Sequence, residues 1–438
     1  MLYQVNKDQL HFTLTKLHSI NLLEEEMQRR RKSDAAPTMD PISNLPNVIL
    51  SGILSLLPTK EAVATSILSK RWIHLCHSID NIDFPNIIKL NSIQSITTFT
   101  KFIDSILVSH FINTFRLKIE YGNCNLASNL GFPNVTKWVN LVVQSREFKY
   151  LRLHLYVDDS DDDDDVIGQT PILPISIFSC KTLLSLDLAR FRVKGFTFSS
   201  IGFGFPSLKV LHLDYIVFQM VRDFMLLLTG CPNLEDLRAT NIYFYYGNSL
   251  TIQEFESLSL PKLNSAVITQ CWCLCFPMKA LSNSEYLCVE TSMLCTKEHK
   301  VYELPCPCYD IPIFHNLTHL ELHDKLELVL QKLQHCPKLQ NLELHQASFE
   351  IAGHEEDYLQ NNWVEPEVVP QCLSSFLRTC TIHNFLGLQS ELMLIKYILK
   401  NARNLQFMRM QNIWDNPEIE TELSTCPKAS ATCRLLFY

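Results

Sequence analysis

The sequence predicts an α/β repeat protein, in which a short helical module precedes a solenoid of stacked strand-and-helix units. Three observations carry this expectation. Between residues 40 and 85, apolar positions recur with helical spacing on two sides of one segment. From about residue 110 onward a six-residue leucine pattern returns at regular intervals. Hydrophobic residues make up 47% of the 438 positions, enough for a core of that length.

Residues 1–39 read as a disordered or dispensable segment. Glu24–Glu26 runs directly into Arg29–Lys32 and then Ser33-Asp34-Ala35-Ala36-Pro37, and charge blocks of this kind are solvated. A short helix over 9–23 is expected but has no evident partner, and Met27 and Met39 are alternative starts. Residues 40–85 change character and read as three short helices. Pro46 suits a first helical turn. Ile49, Ile53 and Leu56 form one stripe, with Leu50, Leu54 and Leu57 beside it. Pro58 stops this helix, Thr59 is placed to cap a second through Ala62 and Val63, and Ser69 a third carrying Trp72 and Leu75. Such a module has more apolar surface than it can bury alone. It either packs on the rest of the chain or docks on a partner.

The repeat template is Leu-x-x-Leu-x-Leu. Leu183/Leu186/Leu188, Leu208/Leu211/Leu213, Leu317/Leu320/Leu322 and Leu339/Leu342/Leu344 fit it in full. Looser copies are Leu234/Leu237/Ala239, Leu263/Ala266/Ile268, Leu377/Cys380/Ile382 and Leu405/Met408/Met410, with Phe148/Leu151/Leu153 early and Ser284/Leu287/Val289 degenerate. Spacings of 25 (183 to 208), 26 (208 to 234), 29 (234 to 263) and 22 (317 to 339) match the leucine-rich repeat. Residues two apart on a strand face the same side, so the last two leucines point inward and their neighbours outward. A single strand cannot bury them, so the copies must stack. The expected result is a leucine-rich-repeat solenoid over residues 86–368, a curved, mostly parallel sheet with helices on the convex side, continued by residues 369–438. Residues 86–147 offer only Leu117 and Ile119, which implies irregular first repeats or a linker helix over 86–110. Cys180, Cys231 and Cys336 each precede a first leucine by three residues, a recurrence that marks them as structural.

Ile42-Ser43-Asn44-Leu45-Pro46, Ile49-Leu50, Ile53-Leu54-Ser55, Leu57-Pro58-Thr59-Lys60, Ala62-Val63, Thr65-Ser66, Leu68-Ser69-Lys70-Arg71-Trp72 and Leu75 closely resemble the plant F-box. The repeats resemble those of plant F-box/leucine-rich-repeat proteins, including the Cys-Pro-x-Leu form at Cys231 and Cys336. The tail Cys426–Cys433, with the helix-like Glu391–Asn401 before it, resembles the FBD domain of the same family. The resemblance implies the substrate-recognition subunit of an SCF-type ubiquitin ligase, docking on a Skp-type adaptor and through it on cullin. By motif position the adaptor-binding residues it implies are Leu45, Pro46, Ile49, Leu50, Leu57, Pro58, Val63, Leu68 and Trp72, some of which must hold the module together instead. The alternative is a leucine-rich-repeat scaffold with no part in ubiquitylation.

Other functions are disfavoured. A net charge of −8 argues against a nucleic-acid partner. No run of 18 apolar residues predicts a membrane helix, and Lys7, Asp8 and His11 interrupt any signal sequence, so nucleus or cytoplasm is expected. The 16 cysteines then read as reduced thiols. Cys271, Cys273, Cys275, Cys288, Cys295, Cys306 and Cys308 cluster, but the one-residue gaps depart from zinc spacing, and Trp272 and Phe276 read as core. Alternation instead suggests a strand with one cysteine face. No phosphate loop, nucleophile elbow or metalloprotease motif occurs, so neither an enzyme, a cofactor nor a metal is expected.

Two surface features remain. Seven aspartates within 158–165 predict an exposed acidic insert. Aligning Leu317 with Leu339 sets His319 beside Asn341, Glu321 beside Glu343, and His323 beside His345, all facing away from the leucines. These six are the candidate substrate-binding residues. The expectation is that the two glutamates repel and would welcome a Lys or Arg of the substrate.

Overall fold

A computed structural model describes residues 42, 44–76, 79–107, 111–158, 170–194, 204–245, 258–271, 276–290, 311–324, 329–346, 365–412 and 417–438. The N-terminal segment 1–39, the aspartate run Asp161–Asp165 and Cys273, Cys275, Cys295, Cys306 and Cys308 lie outside these residues. The chain falls into two compact units, residues 1–53 and 54–438.

In the first unit the described residues are mostly those of the helix Asn47–Ser55, which starts directly after Pro46 and crosses the unit boundary. The Pro46 carbonyl accepts the amides of Ile49 and Leu50, so Pro46 closes the first turn.

The second unit begins with the helices Thr59–Ala64 and Lys70–Cys76. Thr59 does not cap its helix. Its side chain is buried, donating to the Asn81 carbonyl (3.4 Å) and accepting the Asp83 amide (2.7 Å), so it ties the helix to the first strand of the sheet. The sheet therefore begins inside the span expected to be helical, at β1 (Asn81–Asp83), with β2 (Ile88–Leu90) beyond it. Both features allowed for residues 86–147 are present. Helix Ile93–Ile106 is closed at its start by Ser92, and β3 (Thr114–Tyr121) buries Leu117 and Ile119.

Eleven further strands follow: β4 (Tyr150–Val157), β5 (Ser185–Val193), β6 (Val210–Phe218), β7 (Asp236–Phe244), β8 (Ser265–Cys271), β9 (Tyr286–Glu290), β10 (His319–Asp324), β11 (Asn341–Gln346), β12 (Thr379–Phe385), β13 (Phe407–Asn412) and β14 (Arg434–Phe437). With β1 to β3 they form one fourteen-stranded sheet, parallel at every pairing, in which each strand from β3 onward lies beside the next in sequence. This is the leucine-rich-repeat solenoid. One ladder row runs Leu186, Leu211, Leu237, Ala266, Leu287, Leu320, Leu342, Cys380, Met408. The degenerate copies thus keep the register of the complete ones. The helices Phe132–Val142, Val221–Thr229 and Gln389–Asn401 bury Trp138, Phe224 and Ile395 in the same core. Cys180, Cys231 and Cys336 are buried, and the Cys231 and Cys336 carbonyls accept the amides of Leu234 and Leu339, closing the turn before each strand.

One regularity is invisible in the template. Arg190, Tyr215, Asn241, Gln270 and Asn384 all have φ between 49° and 64°, and each stands two residues past the template's last apolar position. A left-handed residue inserts an extra position, so the next inward side chain comes after three residues rather than two. Those side chains are Phe191, Ile216, Ile242, Cys271 and Phe385, all buried. The left-handed conformation costs about 1–2 kcal/mol. Burying the large apolar side chain that follows returns about 1.5–3 kcal/mol. Cys271 therefore belongs to the core row and pairs with Ile242. β8 ends at Cys271, and the alternating partners Cys273 and Cys275 lie outside the described residues.

Candidate functional site

Two surfaces follow from these elements. The first lies on the helical module. In residues 1–53, helix Asn47–Ser55 buries Leu50 completely, yet leaves Val48 80% and Ile49 50% exposed, with Ile53 also exposed. Pro46 is exposed and Leu45 half-buried. In the second unit Leu68 is 63% exposed beside exposed Ile67 and Ile73, while Leu57, Pro58 and Trp72 are half-buried. Val63 is half-buried against the solenoid core. Of the nine predicted adaptor-binding residues, Leu50 is thus the one that is fully buried. Val48, Leu56, Ile67 and Ile73 are exposed as well and stand outside the predicted set, because period alone does not say which of two apolar stripes faces inward.

The second surface is the outer face of β9 to β13. Registry places His319 opposite Asn341, Glu321 opposite Glu343 and His323 opposite His345, and it brings in Tyr286, Cys288 and Glu290 from β9 and Thr379, Thr381 and His383 from β12. Three imidazoles form a ladder: His323 and His345 stack at 4.2 Å, and His345 and His383 at 4.0 Å, with planes within 6°. The strand spacing of about 4.8 Å sets that separation. The Tyr286 hydroxyl donates to Glu321 Oε2 (2.9 Å). Glu321 Oε1 lies 3.2 Å from His323 Nε2 and 3.0 Å from His345 Nε2. The His345 contact is an ion-pair distance without hydrogen-bond alignment, and that nitrogen is shielded from solvent. His383 Nε2 is 3.0 Å from Glu343 Oε2, and its Nδ1 is 2.7 Å from Gln411 Oε1. Asn341 is held between His319 Nε2 (2.8 Å) and the Thr379 hydroxyl, which donates to it (2.7 Å).

The electrostatics differ from the mutual repulsion expected of two bare glutamates. The imidazoles of His323 and then His345, opposed by partial burial and helped by the Tyr286 hydroxyl, hold the Glu321 carboxyl well below the usual carboxylate range. Glu343 is served by His383 and keeps its side chain 50% exposed. The face is a compensated network in which Glu343 is the accessible acceptor. Tyr286 and His383 escaped the sequence reading, and Cys288 entered it only as one of the clustered cysteines, because their strands carry degenerate copies, Ser284/Leu287/Val289 and Leu377/Cys380/Ile382. Extending the alignment to those copies would have found all three. Among the described residues, Cys288, Glu321 and His323 form one group of metal-capable donors, and Glu343, His345 and His383 another.

Three family models match the chain: the F-box domain over residues 42–83, the leucine-rich repeats of an FBD-associated F-box protein over 163–297, and FBD over 365–410. The FBD match ends before the Cys426–Cys433 tail that suggested it. Among similar curated proteins of Arabidopsis thaliana, FBD-associated F-box protein At5g56370 is 28% identical over 91% of this chain and 100% of its own length. FBD-associated F-box protein At4g10400 is 29% identical over the same shares, and F-box/FBD/LRR-repeat protein At4g00160 is 26% identical over 91% and 94%.

Proposed function

Because the chain belongs to the plant F-box/FBD/leucine-rich-repeat family, we propose that it is the substrate-recognition subunit of an SCF-type ubiquitin ligase. In this reading the F-box docks on a Skp-type adaptor, which bridges to cullin, and the outer strand face takes the substrate protein. The chain performs no chemistry itself and works in the nucleus or cytoplasm.

The observation that carries the proposal is the exposed apolar side of helix Asn47–Ser55. Scattered exposed apolar residues are ordinary, but Val48, Ile49 and Ile53 on one nine-residue helix are a concentration that a partner's apolar surface would cover. The histidine and glutamate face supports the second half of the reading. It is polar, it rests on rigid strands, and its most accessible carboxylate, Glu343, suits a basic or hydrogen-bonding segment.

Co-purification tests the first half. Leu45→Ala with Pro46→Ala should abolish recovery of adaptor and cullin while far-UV circular dichroism stays unchanged. Undiminished recovery of both partners would sink the docking role. Recovery of neither by the unaltered chain would favour a scaffold outside ubiquitylation. For the second half, Glu343→Gln should lower substrate capture at constant adaptor binding. Unchanged capture would move the reading surface to other strands.

A further inference from the structure

We infer that Cys288, Glu321 and His323 form a binding site for one divalent transition-metal ion of the zinc class on the outer face of β9 and β10. The site is independent of the ligase reading.

The donor set is the first argument. A thiol, a carboxylate and an imidazole converge with their ligand atoms all within 4.8 Å of one another. Sulfur, nitrogen and oxygen together suit a borderline-soft ion such as Zn²⁺ and disfavour Mg²⁺ or Ca²⁺, which take oxygen. All three donors stand on strands, so the backbone ladder fixes their origins. Cys288 and Glu321 are direct register partners, and His323 is two residues along on the same face.

Distance is the second argument. Tetrahedral bonds of about 2.0–2.1 Å to nitrogen and oxygen place those two ligand atoms about 3.3 Å apart. His323 Nε2 and Glu321 Oε1 are 3.2 Å apart. The pair therefore already stands at the separation that one ion would set. A thiolate at about 2.3 Å requires a separation of about 3.6 Å from either. Cys288 Sγ, within 4.8 Å, must close by about 1 Å at most.

The Glu321 carboxylate is already oriented by its neighbours. The Tyr286 hydroxyl holds Glu321 Oε2 and leaves Oε1 to the imidazoles of His323 and His345.

The neighbouring Glu343, His345 and His383 cluster is the weaker candidate. Its two rings are stacked 6° from parallel at 4.0 Å. Each nitrogen lone pair lies in its own ring plane, so the two cannot meet at one ion unless a ring turns. The Cys288 site contains one ring and has no such conflict. Its three protein donors leave a tetrahedral ion one position for water or for a donor from a docked segment.

The test uses the full chain, stripped with a chelator, dialysed against Zn²⁺ and assayed for bound metal, with Co²⁺ as a spectroscopic probe. The expected result is one retained equivalent whose Co²⁺ form shows thiolate-to-metal charge-transfer absorption. Cys288→Ser should abolish that absorption. Cys288→Ser and His323→Ala should each weaken Zn²⁺ binding at least tenfold, with circular dichroism unchanged. His323 is half-exposed, so its variant serves if the buried cysteine variant fails to fold. Three outcomes overturn the proposal: no retained equivalent, retention unaffected by His323→Ala, or loss in His383→Ala in its place.

Discussion

Leu342 and Glu343 are adjacent in β11 and face opposite ways, so the solenoid predicts opposite consequences for changing them. Leu342 is fully buried between Leu320 and Cys380 in the ladder row. Truncation to alanine loses the transfer free energy of the removed atoms and leaves a cavity, together about 2–5 kcal/mol. Strands held about 4.8 Å apart by ladder bonds cannot collapse into the gap, which favours the upper part of that range, about 4 kcal/mol. Glu343 is half-exposed with one histidine partner, and glutamine keeps an acceptor there, so Glu343→Gln should stay within about 0.5 kcal/mol. Each repeat touches only its neighbours, so the loss should be local. Native-state hydrogen exchange is the assay. Amides of β10 to β12 should lose about a thousandfold protection in Leu342→Ala, since each 1.4 kcal/mol is a factor of ten, with β4 to β6 far less affected. If Glu343→Gln cost as much as Leu342→Ala, or Leu342→Ala cost under about 1 kcal/mol, the assignment of faces would be wrong.

Gly131→Ala should destabilise the chain by about 1–3 kcal/mol in urea unfolding, because a Cβ there would lie 2.4 Å from the buried Tyr121 ring. Ser284 occupies a leucine position with its buried hydroxyl unpartnered, so Ser284→Ala should stabilise by about 1 kcal/mol, and a loss in the same assay would mean the hydroxyl has work to do. Burial raises the Glu391 carboxyl, opposed by amides of Leu388 and Leu386 that donate to it. A raised folded value means its contribution is full below its ordinary 4.5 and is lost as the pH rises through the folded value, so the wild type should gain on Glu391→Gln as the pH falls from 7 toward 4.5, and the opposite trend would refute the dominance of burial there. Burial pushes the thiols of Cys231, Cys372 and Cys380 up to about 12, so alkylation at pH 8 should spare them in the native chain and label them in urea, by mass spectrometry of peptides.

Much of this was legible in the leucine spacing. Two apolar residues on one face of a strand need a neighbour to bury them, and aligning the copies fixed which residues stand side by side at His319, Glu321 and His323. The hidden part was non-local. Nothing common to Arg190, Tyr215, Asn241, Gln270 and Asn384 announces a left-handed residue. What offsets its cost is the apolar side chain that follows, and for Arg190 also its place between the rings of Tyr156 and Tyr215 at 5.6 and 5.0 Å. Thr59 illustrates the same limit. Its local role as a helix cap gave way to a partner 24 residues on, at Asp83.

The ladder also separates stability from recognition. Inward rows are continuous along the sheet, each leucine packed by the equivalent residues of its two neighbours. An outward position contacts only one or two side chains on adjacent strands, and these come from residues as far apart in sequence as Glu343 and His383. A substitution outward therefore alters the chemistry of one patch while leaving the buried row intact. The imidazole ladder across His323, His345 and His383 shows what this allows. Three independent positions, each free of core duty, acquire a joint property only because the inward leucines hold their strands in register. A shift of one residue between β10 and β11 would carry every leucine out of the core and separate the ladder at once, so core packing alone enforces the geometry of the face.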